Sequence, residues 1–131
     1  MTETIVQNEN RDTREVSEVA SSLINLLRSN ETAAYVLGLK QGRTLTNWAE
    51  KGVMPSDPVM VTRLKVAESL ALTVKEEVRP WVSGAWLISN NPHLGEHSPS
   101  ELIQSLSGTA EDSQLSDSLH HAAEHFASLP E

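Results

Sequence analysis

The chain has 131 residues, no cysteine and a formal net charge of −8, enough for one compact core or two small lobes sharing one. Without cysteine there is neither a disulfide nor a thiolate metal site, which fits a reducing cytoplasm. No apolar run approaches the length needed to span a bilayer, and the polar first residues do not read as a secretory signal, so a cytoplasmic protein with no membrane partner is expected.

The charge is unevenly distributed. Residues 1–27 carry −3, residues 28–79 carry +2, and residues 80–131 carry −7 with no lysine or arginine. Cationic capacity is therefore concentrated in the middle, where phosphates could be met locally. The acidic final stretch would repel a polyanion and is expected to face a different partner or plain solvent.

Hydrophobic periodicity near 3.6 recurs and strict alternation does not, so an all-α fold is expected. Residues 1–11 are polar and expected to form a disordered arm. Asp12 and Glu15 have capping-box spacing, and Val16, Val19, Ala20, Leu23, Ile24 and Leu27 form one apolar stripe ending near Arg28. A second helix is expected over about 31–38, with Asn30 as its cap and Gly38 at its end. A third is expected over about 43–51 and carries Leu45, Trp48 and Ala49, stopped by Gly52 and Pro55.

Asp57-Pro58 opens a fourth helix whose stripe is Met60, Leu64, Ala67, Ala71, Val74 and Val78, with two alanines that admit a close neighbour. Pro80 starts a fifth, with Trp81, Val82, Ala85, Trp86 and Leu87, ended by Asn90-Asn91-Pro92. Ser98-Pro99-Ser100-Glu101 is a capping box with proline in the first turn, opening a short helix closed by Gly108. A last helix is expected over about 112–128. This divides the chain into an N-terminal helix-turn-helix bundle over 12–79 and a smaller C-terminal helical region over 80–131.

Ala34, Gly38, Leu45 and Trp48 stand in the order a helix-turn-helix requires. Its first helix needs a small residue, its turn a residue tolerant of positive φ, and its second helix apolar anchors three apart. Residues 31–52 accordingly resemble the helix-turn-helix of Xre-type regulators, with a turn one residue longer than the commonest spacing. The outward face of the third helix would carry Arg43, Thr44, Thr46, Asn47, Glu50 and Lys51. Arginine can bond guanine bidentately, asparagine adenine, and threonine a base edge or a phosphate. Lys40 and Gln41, in the turn, are placed for the backbone. Double-stranded DNA is thus the expected partner. A single module makes few contacts, so a homodimer is expected, with the Trp81 and Trp86 segment as its expected surface.

Trp86, Leu87, Asn91, Pro92, Leu94, Gly95, Ser98, Pro99, Glu101 and Leu102 form a pattern similar to the toxin-binding domain of the Xre/MbcA/ParS-like antitoxins, which accompany RES-domain toxins. Glu96 stands where that family usually has a second glycine, and the tail is longer. The resemblance implies a dimeric antitoxin that sheathes an NAD-degrading toxin and represses its own operon. With the apolar segment at Trp81, it makes Trp81, Trp86, Leu94 and Leu102 the expected dimer or partner contacts. A phage-type immunity repressor without a toxin is the alternative. His121, Glu124 and His125 match an inverted zinc-peptidase pattern, but nothing nearby would build a substrate cleft. With no P-loop, dinucleotide fingerprint or nucleophile–base pair, no enzyme activity, cofactor or resident metal is expected.

Overall fold

A computed structural model describes residues 15–129; the arm expected over 1–11 and the cap expected at Asp12 lie outside them. The chain is all-α, with seven α-helices among the described residues: α1 (Val16–Leu27), α2 (Asn30–Leu37), α3 (Gly42–Lys51), α4 (Val59–Val74), α5 (Val82–Ile88), α6 (Pro99–Gln104) and α7 (Asp112–Ala127). A 3-10 turn, Pro92–Leu94, lies between α5 and α6. No described helix is long and apolar enough to cross a membrane.

Each helix begins and ends for a local reason. The Glu18 carboxylate accepts the Glu15 backbone N–H at 3.0 Å, so the capping contact of α1 falls at Glu15. The cap of α2 is Ser29, whose hydroxyl accepts the Thr32 N–H at 3.1 Å, and not Asn30, which is the first helical residue. Both residue types cap well, so sequence could not choose between neighbours. The capping box expected at Ser98 and Glu101 is present in both directions.

Helix α4 stops at Val74, earlier than the stripe through Val78 implied, and Val78 is 88% exposed. Thr73 bonds back to the Ser69 carbonyl at 3.0 Å, which weakens the last turn. Extending the helix would also place Glu76 and Glu77 at its negative end.

The core is continuous across the boundary expected at Pro80. Leu23, Leu37, Leu45, Leu64 and Leu70 share one apolar cluster with Leu87, Ile103, Leu106 and Leu119. Helix α4 is the central element and packs on α1, α2, α5, α6 and α7. Its two middle alanines, Ala67 and Ala71, are fully buried. There Ser83 of α5 donates to the Ala71 carbonyl at 3.1 Å, the close approach that small residues permit. On the other side Arg63 reaches the Leu106 carbonyl at 3.0 Å, tying α4 to the end of α6.

Candidate nucleic-acid interface

Helices α2 and α3 and their turn form a unit whose geometry follows from four residues. Ala34 is buried, and Gly38 ends α2 with a φ of 80°, a conformation that costs glycine nothing. The Leu39 N–H then reaches back to the Ala34 carbonyl at 2.9 Å. Leu45 and Trp48 point into the core from one side of α3 and fix its rotation. Helix α1 packs against α3 from behind.

The two helices begin side by side. Asn30, the first residue of α2, donates from its amide to the Thr46 hydroxyl at 3.0 Å, and that hydroxyl donates to the Gly42 carbonyl at 3.1 Å. A Cβ on Gly42, the first residue of α3, would lie 3.4 Å from the Asn30 Cβ. The positive ends of both helix dipoles are therefore adjacent, and Gln41 does not cap α3 with its side chain. Such a pair of helix starts suits phosphate oxygens.

Around this end the structure exposes Lys40, Gln41 and Arg43 and half-buries Thr44 and Asn47, while Glu50 and Lys51 are exposed at the opposite end of α3. Thr46 differs from the others expected to read DNA: its hydroxyl is engaged by Asn30 and Gly42, so it fastens α3 to α2. Sequence alone could not show this, because Asn30 and Thr46 meet only once the turn has folded.

The four residues expected at a dimer or partner surface part company. Trp86 is buried, with its ring 6.2 Å from that of Phe126, and Leu94 is buried as well. Leu102 is half-buried. Trp81 is 62% exposed. It shares one outward stripe of α5 with Ala85 and Ile88, at the i, i+4, i+7 spacing of a single helix face. The opposite face holds Val82, Ser83, Trp86 and Leu87, all buried, so α5 is nearly apolar all round.

The segment between α5 and α6 is a compact loop organised by Asn91. Its side chain accepts the His93 N–H at 2.8 Å, and its carbonyl accepts from Leu94 and Glu96 at 2.9 and 3.0 Å. Gly95 and Glu96 follow with φ of 66° and 69°. Glu96 is thus left-handed, a conformation in which a side chain is strained.

Helix α7 carries the His-Glu-His pattern on its surface, with His121, Glu124 and His125 all exposed. The His125 ring packs on His93, with centroids 4.4 Å apart. Among the described residues no group of three or more His, Asp or Glu side chains is arranged to hold a metal. One hydroxyl–imidazole contact escaped the sequence reading. The Ser69 hydroxyl lies 2.9 Å from His120 Nε2, and His120 Nδ1 lies 2.8 Å from the Ser116 carbonyl. The carbonyl requires a proton on Nδ1, so Nε2 of the neutral ring accepts from Ser69 and ties α7 to α4. The two residues are far apart in the chain, and no spacing rule connects them.

Asp112, at the start of α7, accepts the backbone N–H of Ser107 at 3.0 Å and that of Gly108 at 2.7 Å. These hydrogen bonds, led by Ser107, hold its carboxyl below the usual carboxylate range. Comparison with protein families, curated proteins and solved structures gives no match for this chain.

Proposed function

We propose that the protein is a sequence-specific double-stranded DNA-binding regulator, a repressor that works as a dimer, with α3 as its reading helix. One observation carries this reading. Ala34, Gly38, Leu45 and Trp48 each do the job a helix-turn-helix assigns to its position, and the result is two helix starts side by side beneath Arg43 and Asn47. Lys40 lies beside them and Lys51 in the last turn of α3, both suited to phosphate contact, while Arg43 and Asn47 suit base edges.

The reading is tested with duplexes from the gene's own upstream region. Asn47→Ala or Arg43→Ala should relax discrimination at one base pair, by about 1–3 kcal/mol for a lost bidentate contact. Lys40→Ala should weaken all duplexes alike and lower the slope of log K against log salt by about 0.9. A protein that retards none of these duplexes even at low salt would remove the basis of the reading.

A second reading, an antitoxin that neutralises an NAD-degrading toxin and autoregulates, is favoured by one observation. The left-handed φ of Glu96 falls where the antitoxin family usually places a glycine. Co-expression with the neighbouring reading frame tests it. Recovery of no complex, together with no rescue of growth, would count decisively against it.

A further inference from the structure

The last turn of α2 leaves its carbonyls without partners inside the helix, as every helix end does. Here the Gly38 N–H reaches the Tyr35 carbonyl at 3.0 Å, and two side chains of α6 supply further donors. The Gln104 amide donates to the Tyr35 carbonyl at 3.0 Å, and the Ser100 hydroxyl donates to the Val36 carbonyl at 3.2 Å. Gln104 also donates to the Ser100 hydroxyl at 3.0 Å, so the two donors support each other. Val36 is fully buried with α6 in place, so in the folded chain its carbonyl depends on a protein donor.

The same glutamine lies against the turn. A Cβ on Gly38 would sit 3.0 Å from Gln104 Cγ and Cδ, so the glycine is needed for space as well as for its φ of 80°. Gln104 therefore meets both the end of the first helix and the residue that sets the angle to the second. Its neighbour Ile103 is fully buried in the core, and Arg63 holds the chain just beyond it through the Leu106 carbonyl at 3.0 Å. Helix α6 is thus fixed from behind and can act as a brace.

The geometry points to Ser100 and Gln104 as positioning residues for the reading head. Lying about fifty residues beyond α3 in sequence and outside the helix-turn-helix, they cap α2, hold the Gly38 turn, and so set the angle at which α3 meets DNA. This rests on the DNA-binding reading for its functional consequence, but the brace itself is a property of the fold. A helix-turn-helix reads sequence only when its second helix enters the groove at one angle, so a loosened turn loses discrimination before it loses phosphate contact.

The test uses the whole chain with Ser100→Ala, Gln104→Met, which keeps length and removes the donor, and Gln104→Lys, which restores one. Amide exchange at Gly38, Leu39 and Lys40 is measured beside the ratio of affinities for the upstream duplex and a scrambled one. Gln104→Met and Ser100→Ala should each speed turn exchange and lower the ratio by about fivefold, the net worth of one ordinary hydrogen bond. Gln104→Lys should recover the exchange protection. Ala122→Gly, on α7, supplies a destabilised control that leaves both readouts unchanged.

A ratio and an exchange rate within about twofold of wild type in Gln104→Met overturn the proposal, whatever happens to its thermal stability. So does a loss of stability without a change in the ratio, because that is what a purely structural contact would give. If wild-type protein retards no DNA, the functional reading fails by itself. Turn exchange then decides separately whether α6 holds the turn.

Discussion

Replacing Glu96 by glycine should stabilise the protein. Glu96 has a φ of 69° and an exposed side chain, and it follows Gly95, which is also left-handed. The left-handed region brings Cβ too close to the following carbonyl oxygen and costs an L-residue about 1–2 kcal/mol. Glycine removes that cost but adds freedom to the unfolded chain, worth about 0.5–1 kcal/mol in the other direction. The backbone bond from the Glu96 N–H to the Asn91 carbonyl, 3.0 Å, survives the change. A net gain of about 0.5–1 kcal/mol remains, which raises Tm by about 2–4 °C for a domain of this size. Thermal unfolding followed by circular dichroism measures it, with Glu96→Ala as the companion that removes the charge and keeps the Cβ. If Glu96→Ala gains as much as Glu96→Gly, repulsion among acids is the cause and the strain argument is wrong. If Glu96→Gly lowers Tm, the loop does not hold this residue left-handed.

Asp112 has its carboxyl held below the ordinary carboxylate range, so the folded state binds its proton more weakly than the unfolded state does. Its stabilisation is complete above the unfolded value and disappears as pH falls through the folded one. Urea titrations should therefore show Asp112→Asn less stable than wild type at neutral pH, with the gap closing under acid; a gap constant with pH excludes the carboxylate as the cause. At the start of α5, Trp81→Glu puts a charge at one end of the outward apolar stripe and should convert a dimer to a monomer with little loss of Tm, because the side chain it replaces is mostly exposed. Light scattering that shows the same mass for both proteins sends the dimer contact elsewhere.

What sequence revealed of this fold is what local rules control. The Ser98–Glu101 box, the left-handed end at Gly38 and the inward pair Leu45 and Trp48 all follow from spacing within a turn or two, and the structure has them. Three features that sequence missed depend on contacts between distant segments. Thr46 could not be separated from the reading face until Asn30 was found beside it. Trp81 and Trp86 looked alike in a short apolar run, and only the folded packing, with Phe126 of α7 beside Trp86, shows which one is covered. The core continues past Pro80 because α4 is buried on several sides, whereas the change in charge there concerns only the surface. A boundary drawn from charge marks where partners change and need not mark where packing stops.

On the proposed DNA-binding reading, an acidic half sits beside the reading head. Helix α2 separates the two. Its first residue, Asn30, touches α3 at the reading end, and its last turn is held by Ser100 and Gln104 of the acidic half. Eight residues of helix make a spacer of about 12 Å. The Debye length is about 8 Å at physiological salt and about 30 Å at 0.01 M, so the carboxylates at the far end are screened from the reading end in the first case and felt in the second. DNA affinity should therefore rise on dilution of salt less steeply than phosphate contacts alone require. Replacing the exposed Glu96 and Glu101 by glutamine should raise affinity at about 0.01 M salt and leave it unchanged at about 0.15 M. An equal gain at both salt concentrations would mean that these carboxylates lie against the DNA, and that α2 does not keep the two halves apart.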